Sequence, residues 1–233
     1  TFDLWDCDGP ADAQHVAVSE TLTFVDGFAS IVDLRIPSGA WECISASDEL
    51  HTLSSTAPDF TTVDGVLYTA SFVGPRAFGG HWLLGGNLND DRFIDIRDFG
   101  IFFPFFLTVA TSDTACGTTG PHANINGDSV VDLLDLVFVS GNSLQTSEAA
   151  CCGAGAVSAV TGPVMSISVD ELRRTGQHDL IAADINRDGF LDVNDIVALI
   201  EGDVPSEPND GSLRHRKQDK AGRSERRRPS GRQ

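Results

Sequence analysis

The chain has 233 residues and a net charge of −18, which is distributed unevenly. Residues 211–233 contain nine Lys or Arg and two acids, a net of +7, which leaves −25 for residues 1–210. A body this acidic repels nucleic acid and membrane surfaces and attracts divalent cations, so we expect neither nucleic acid nor membrane as a partner. The apolar run 101–109 is too short to span a membrane and is broken by Pro104. Because the chain begins at Thr1 rather than Met, we expect a mature form or a segment of a longer protein.

Residues 1–84 have the pattern of short strands separated by turns. The β-rich stretches are 1–5, 14–18, 21–25, 31–36, 41–46 and 66–73, with turn signals such as Asp26-Gly27 and Asp64-Gly65 between them. This pattern predicts an antiparallel β-sandwich. Residues 36–43 (IPSGAWEC) are similar to the strand entry of prealbumin-like or carboxypeptidase-regulatory-like sandwiches, which implies the same fold.

Three twelve-residue segments place oxygen-bearing side chains at positions 1, 3, 5, 9 and 12. They are the first loop 87–98 (NLNDDRFIDIRD), the second loop 124–135 (NINGDSVVDLLD) and the third loop 184–195 (DINRDGFLDVND). This is the ligand spacing of an EF-hand calcium loop, in which position 7 contributes its backbone carbonyl. The candidate Ca²⁺ ligands are Asn87, Asn89, Asp91, Phe93, Asp95 and Asp98; Asn124, Asn126, Asp128, Val130, Asp132 and Asp135; and Asp184, Asn186, Asp188, Phe190, Asp192 and Asp195.

Each loop runs into a segment with helical periodicity. Position 8 is apolar in all three loops (Ile94, Val131, Leu191), as expected where paired loops join by a short β-bridge. Apolar residues then recur at i, i+3 and i+4, so the sequence predicts an amphipathic helix after every loop. We expect the first helix to end near Pro104. We favour burial of its phenylalanines against the second loop–helix unit over an exposed partner surface.

The three loops are not equivalent. The third offers four carboxylates and Gly189 at position 6, whereas the first and second begin with Asn and carry Arg92 and Ser129 at position 6. A non-glycine residue at positive φ costs about 1–2 kcal/mol. We therefore expect calcium affinity to decrease in the order third, second, first.

The loops resemble the calcium-binding repeats of bacterial type I dockerins, which end in Asp rather than the Glu of most EF-hands. Dockerins are secreted modules that dock onto cohesin domains, often in polysaccharide-degrading assemblies. The resemblance implies a Ca²⁺ cofactor, a secreted or cell-surface location, a cohesin-like or cell-surface protein partner and association with carbohydrate. The chain departs from the family in its loop spacing and at positions 10 and 11, where dockerins often carry Ser or Thr and this chain carries Ile96/Arg97, Leu133/Leu134 and Val193/Asn194.

Five cysteines without a CxxC motif predict disulfides and an oxidising compartment. Cys7 and Cys43 both lie near predicted strands, and we expect them to pair. A second bridge from Cys116 to Cys151 or Cys152 would clasp the second loop–helix unit at both ends. The sequence leaves open which of the two adjacent cysteines is used.

The predicted fold class is α+β with several domains. Residues 1–84 form the sandwich, 85–152 the paired calcium repeats, 153–167 a Gly/Ala/Ser-rich linker and 168–202 a third helix–loop–helix unit that begins at a Ser168 cap. Residues 203–233 have few apolar side chains and are predicted to be a disordered basic tail. Because Gly85 and Gly86 lead directly into the first loop, we expect a rigid junction there.

No catalytic constellation is recognisable, since the histidines are scattered without an HxxxH, HxH or GxSxG motif to gather them. The sequence therefore favours a secreted, non-catalytic module for attachment or scaffolding. Two alternatives stay open. In the first, the chain is an accessory region of an extracellular glycoside hydrolase whose catalytic domain lies upstream. In the second, it is a purely structural, calcium-stabilised spacer.

Overall fold

The computed structural model describes residues 1–7, 14–23, 29–31, 33–48, 52–57, 60–63, 67–109, 122–149, 151–153 and 162–202. Cys116, most of the predicted linker and the predicted tail lie outside these ranges. The chain is a mixed α+β protein with antiparallel sheets, and this part of the predicted fold class is confirmed. Within the described ranges, no helix has the length and apolarity that a bilayer crossing requires.

The N-terminal part contains a four-stranded antiparallel sheet and a hairpin. The sheet has the order β2-β1-β3-β4, and its strands are β1 (Phe2–Asp6), β2 (Gln14–Val18), β3 (Cys43–Ala46) and β4 (Ser55–Ala57). Strands β5 (Thr61–Val63) and β6 (Leu67–Thr69) form the hairpin. The sheet and the hairpin share one apolar cluster, in which Tyr68 and Phe72 pack against Leu4, Trp41 and Ile44.

Two of the predicted strands are not observed as such. The described residues of 31–36 form no strand, because the chain turns at 37–39 and Trp41 Nε1 donates to the Pro37 carbonyl at 2.8 Å. Of the stretch 21–25, the described residues 21–23 are likewise not a strand. Strands β4 and β5 were missed because each has three residues and is largely Ser and Thr, too short for alternation to be visible.

Beyond the sheet and the hairpin, the described chain contains four α-helices, several 3-10 turns and a short β-ribbon. The helices are α1 (Ile96–Phe102), α2 (Leu133–Gly141), α3 (Val169–Thr175) and α4 (Val193–Glu201). Strands β7 (Ser166–Ser168) and β8 (Phe190–Asp192) pair antiparallel, with β8 inside the third loop. The helix predicted after every loop is therefore confirmed. Helix α1 passes into the 3-10 turn Phe103–Phe105, where Pro104 has no N–H to donate.

Each of the three loop helices begins with an aspartate cap. Asp95, Asp132 and Asp192, at position 9 of their loops, accept the N–H two residues later, at 2.7 to 2.8 Å. The carboxylate of the position-12 aspartate in turn accepts a hydrogen bond from the backbone N–H of the capping aspartate. This reciprocal capping satisfies backbone donors that a helix start leaves without partners, so the loop residues also start the helices.

One apolar core joins all three loop–helix units. Phe99 and Phe102 of α1 are completely buried, which confirms the predicted burial, whereas Phe105 stays partly exposed. A side chain at Gly100 would place its Cβ 3.0 Å from Leu180 Cδ2 and 3.1 Å from Leu191 Cδ2, so the third unit packs directly on α1. The buried members of the core are Leu53, Leu88, Ile94, Ile96, Phe99, Phe102, Ala123, Val131, Leu136, Val139, Leu172, Leu180, Ala183, Ile185, Leu191, Ala198 and Leu199.

Two disulfides, Cys7–Cys152 and Cys43–Cys151, tie the sheet to the end of the second loop–helix unit. The prediction of disulfides is confirmed, but the predicted Cys7–Cys43 bridge is wrong. Strands β1 and β3 are neighbours, with Trp5 opposite Cys43, so Cys7 and Cys43 lie at the same end of the sheet. Cys151 bonds to Cys43, and the adjacent Cys152 bonds to Cys7. The predicted bridge from Cys116 to either of them is therefore also wrong.

A polar cluster stands between the sheet and the loop–helix units. Glu148 Oε2 accepts the Thr56 N–H at 2.6 Å and the Ser55 hydroxyl at 2.9 Å, while His81 Nδ1 lies 3.1 Å from both of its carboxylate oxygens. Arg76 donates to the backbone carbonyls of residues 54, 82 and 146. Burial raises the pKa of Glu148, but the hydrogen bonds and the Arg76 charge outweigh burial and hold that pKa below its ordinary value.

Candidate metal centres

The carboxylate at position 12 closes all three loops in the same way. Asp195 Oδ1 accepts the Ile185 N–H at 2.7 Å, and Asp195 Oδ2 accepts the Asp192 N–H at 2.9 Å. Asp98 accepts the Leu88 and Asp95 N–H groups at 2.7 and 2.8 Å, and Asp135 accepts the Asn126 and Asp132 N–H groups at 2.9 Å. In all three loops Oδ1 of this aspartate accepts the N–H of position 3. All three carboxylates are completely buried. Each loop therefore folds around a buried acidic group.

Positions 3, 5 and 7 repeat a second pattern. In the third loop, Asn186 Oδ1 accepts the Asp188 N–H at 2.9 Å, and Asn186 Nδ2 donates to Asp188 Oδ2 at 3.1 Å. Asp188 Oδ1 in turn accepts the Phe190 N–H at 2.9 Å. The same three bonds recur in the other loops among Asn89, Asp91 and Phe93 and among Asn126, Asp128 and Val130. The residues predicted as ligands are thus brought together along one repeated chain path.

Position 1 differs, because two of its side-chain oxygens are buried without a partner. Asn87 is 2 % exposed, and its Nδ2 donates to the Asp91 carbonyl at 2.8 Å while its Oδ1 has no hydrogen bond. Asp184 Oδ2 accepts the Gly189 N–H at 3.2 Å, while Asp184 Oδ1 is buried and unpaired. A buried oxygen without a partner costs about 1–3 kcal/mol. Oxygens at this loop position fit a hard cation such as Ca²⁺, which takes six to eight oxygen ligands.

Positive φ occurs at two positions of the loops, whereas the sequence predicted it at position 6 alone. Position 6 has positive φ in the second and third loops, at Ser129 (92°) and Gly189 (93°), as expected. In the first loop Arg92 does not adopt positive φ, so the expectation of strain there is wrong. Positive φ at position 4 was not predicted, although it occurs in all three loops, at Asp90 (54°), Gly127 (76°) and Arg187 (59°). The sequence signal for this was Gly127, because the second loop has its glycine at position 4 rather than at position 6.

The buried acids of the first loop repel one another. The pKa of Asp98 is raised to about 7, chiefly by burial and also by the charges of Asp95 and Asp91, against the lowering effect of the hydrogen bonds from Asp95 and Leu88. Burial, together with the charge of Asp184, likewise raises the pKa of Asp195 in the third loop. Ionisation of these groups is therefore unfavourable unless a positive charge accompanies it.

The contact of Arg97 with Asp95 in the first loop was not predicted from the sequence. Arg97, at position 11, brings its Nη1 to 3.6 Å from Asp95 Oδ2, while its buried Nε has no partner. The second and third loops carry Leu134 and Asn194 at this position. The first loop thus holds a positive charge of its own beside a candidate ligand.

The apolar residue at position 8 does not join loop to loop, so the predicted loop–loop bridge is wrong. Ile94 N–H donates to the Gln145 carbonyl at 3.0 Å, and Val131 N–H donates to the Thr108 carbonyl at 3.0 Å. Each of the first two loops therefore pairs with the segment that follows the other loop's helix. In the third loop, Leu191 pairs with Ile167 of β7. Both the loops and their partner segments in the first two units are offset by 37 residues, which makes them an interlocked structural repeat.

Acidic side chains alone do not build a metal centre in the described ranges, where no group of three or more Asp, Glu, His or Cys is placed to hold an ion. A calcium loop of this spacing also draws on Asn oxygens and a backbone carbonyl. The first two loops carry Asn at positions 1 and 3. In the third loop, the carboxylates at positions 5, 9 and 12 accept backbone N–H bonds. The predicted Ca²⁺ ligand sets remain a prediction.

Comparison of the chain with protein-family models, with curated proteins and with solved structures finds no match.

Proposed function

We propose that the chain is a secreted, non-catalytic calcium-binding module of dockerin-like type, in which Ca²⁺ serves as a structural cofactor. The observation that supports this most directly is the pair of buried, unpartnered position-1 oxygens, Asn87 Oδ1 and Asp184 Oδ1. They occur in loops that share one hydrogen-bonding pattern with the second loop. The two disulfides are consistent with an oxidising compartment.

The ion would be held by the side-chain oxygens at positions 1, 3, 5, 9 and 12 and by the carbonyl at position 7 of each loop. When bound, Ca²⁺ supplies positive charge to buried carboxylates that repel one another. The chain contributes the rest: the capping aspartates start the helices, and the apolar residues at position 8 anchor each loop in the core. Ion binding and folding are then coupled.

The affinity order third, second, first is part of this proposal. The third loop has a charged Asp184 at position 1, where the others have Asn. In the first loop, the Arg97 guanidinium already accompanies Asp95 and competes with a bound cation. The second loop has no such competitor but keeps Ser129 at positive φ, which costs about 1–2 kcal/mol.

Attachment or scaffolding through a cohesin-like or cell-surface protein, and association with carbohydrate, are proposed from the dockerin resemblance. The surface available for such contact differs between the units. On α2, Leu133 and Leu134 are 44 % and 60 % exposed, whereas on α1 the equivalent Ile96 is 6 % exposed beneath the third unit. On α4 the equivalent Val193 is 62 % exposed, but it is followed by the polar Asn194. We place the proposed partner surface on α2, where both of these positions are apolar and exposed.

A structural spacer without a partner is the second candidate, and the contacts across the junction favour it. Two disulfides and the Glu148 cluster fix the sheet to the loop–helix units, as a load-transmitting connection requires. The third candidate, an accessory region of an extracellular hydrolase, assigns the same role to this part of the parent protein. Capture of purified cohesin domains by the chain, lost on Leu134→Arg, supports docking; no capture by the wild-type chain supports the spacer.

Calorimetric calcium titration of Asp184→Asn tests calcium binding itself. The substitution keeps the side-chain shape and removes one charge from position 1 of the third loop. We expect the tightest site to weaken about tenfold or more, which corresponds to about 1.4 kcal/mol. Asp170→Asn is the matched control, because Asp170 lies in the same unit, outside the loop, and is highly exposed. Equal binding heats for the two variants would contradict the assignment.

A further inference from the structure

Residues 164–166 connect the first calcium loop with the third. At one end, Val164 N–H donates to Asp95 Oδ2 at 2.8 Å, and the Val164 carbonyl accepts the Ile96 N–H at 3.2 Å. At the other end, Ser166 pairs with Asp192 in the β7–β8 ribbon. Asp95 and Asp192 are the position-9 aspartates of their loops. Three consecutive residues thus join the same ligand position in two loops.

Asp95 depends on this contact more than its equivalents do. It is 2 % exposed, and Arg97 N–H occupies its Oδ1 at 2.8 Å, so Val164 supplies the backbone donor to Oδ2. Among the described residues, the hydrogen bonds to the carboxylates of Asp132 and Asp192 come from Leu134 and Asn194 of their own loops. Without Val164, the second oxygen of a buried carboxylate would keep only the Arg97 guanidinium, at 3.6 Å.

The position of Val164 is in turn set by the third loop. Strand β7 pairs with β8, which comprises positions 7 to 9 of that loop. The next residue after β7, Val169, donates its N–H to the Gly189 carbonyl at 2.9 Å, at position 6 of the same loop. Ordering of the third loop therefore orders β7 and the two residues before it.

We propose that the first and third loops bind Ca²⁺ cooperatively, with Val164 as the positioning residue that carries the coupling. This inference rests on the proposed calcium function. An ion in the third loop fixes β8 and, through β7, holds the Val164 N–H against Asp95. The first loop is then already arranged when its own ion arrives. By linkage, an ion in the first loop must favour the third by the same factor.

Site-resolved calcium titration by NMR of the full-length chain tests the coupling. The backbone amides of Arg92, Ser129 and Gly189, each at position 6 of its loop, report on the first, second and third loops. Asp188→Asn impairs the third loop and Asp91→Asn the first. We expect Asp188→Asn to weaken the first loop roughly fivefold or more, and Asp91→Asn to weaken the third by the same factor.

Val164→Pro and Val164→Ala then test the route. Proline removes the N–H that Asp95 accepts, whereas alanine keeps it. The two cross-effects are the weakening of the first loop by Asp188→Asn and of the third loop by Asp91→Asn. In the proline variant both should fall to a factor of one, while the Ser129 amide titrates as before. Cross-effects that persist in the proline variant would overturn the role of Val164. Should that variant fail to fold, the two cross-effects in the Val164→Ala chain still decide whether the loops are coupled.

The outcomes separate the two claims. If none of the three amides responds to calcium, the proposed function fails. If all respond, but Asp91→Asn and Asp188→Asn each affect only their own loop, calcium binding stands and the coupling is overturned.

Discussion

Arg76 Nε lies 3.7 Å from Glu148 Oε1 at the junction of the N-terminal sheet with the loop–helix units. The pair is mostly shielded from solvent, and it joins segments 72 residues apart in sequence. The carboxylate also satisfies Ser55, Thr56 and His81, so one side chain holds together strand β4, the 76–82 turn and the end of the second unit.

We expect Glu148→Gln to lower the free energy of unfolding by about 1–3 kcal/mol, because an amide cannot accept all the hydrogen bonds that the carboxylate accepts. Urea unfolding at pH 7 in millimolar calcium measures the change. Glu171→Gln is the control, since Glu171 pairs with Arg174 on the exposed face of α3. A loss of stability no larger than that of the control would show that the junction contributes little.

Asp98 is expected to dominate the pH dependence of the calcium-free chain, and Asp195, whose pKa is also raised, adds to it in the same direction. The pKa of Asp98 is raised to about 7 in the folded chain and is 3.8 in the reference state, so its contribution to stability is complete below pH 3.8 and is lost as pH rises through 7. We expect unfolding in calcium-free buffer to require about 2–3 kcal/mol less at pH 8 than at pH 5. Asp98→Asn, which cannot ionise, should show a much smaller slope. A stability that rises between pH 5 and pH 8 would contradict this account of Asp98.

Packing of the third unit on α1 depends on the absence of a side chain at Gly100. Gly100→Val introduces the residue that stands at the equivalent place in the second unit, Val137, and drives it into Leu180 and Leu191. We expect a loss of about 1–3 kcal/mol from overpacking. Gly141→Ala at the last residue of α2 is the control, because its Cβ would meet open space, and it should not destabilise the chain. Equal thermal shifts for the two variants would rule out this close approach.

The disulfide pairing has a direct chemical signature. Since Cys151 and Cys152 are adjacent, a non-reducing digest should give one species that links the peptides containing Cys7, Cys43 and 151–152. Mass spectrometry before and after reduction identifies it. A peptide pair that joins Cys7 to Cys43 alone would contradict the pairing.

Features that depend on neighbouring residues could be predicted from the sequence. Strand β2 was predicted with its observed ends, and the helices begin where the loop aspartates cap them. The end of α1 follows from Pro104, a local property of the backbone. The repeated hydrogen bonds among positions 3, 5 and 7 likewise involve residues two apart.

Features that depend on distant contacts could not be predicted. Cysteine pairing follows from the neighbouring placement of β1 and β3, which are about forty residues apart in sequence. The partner of Ile94 lies beyond α2, and no periodicity in the sequence points to it. The donation from Val164 to Asp95 crosses 69 residues. These contacts determine how the three loops are joined. The spacing of residues within each loop carries no information about them.

Thermal unfolding of the full-length chain in excess chelator and in millimolar calcium tests the central claim most directly. A ligand present at about one hundred times its dissociation constant stabilises the folded state by about 2.7 kcal/mol. For a chain of this size, that corresponds to a rise in Tm of about 5–10 °C. We expect such a rise with calcium, together with a measurable heat of binding. An unchanged Tm and no heat of binding would contradict calcium as the ion that completes the three loops.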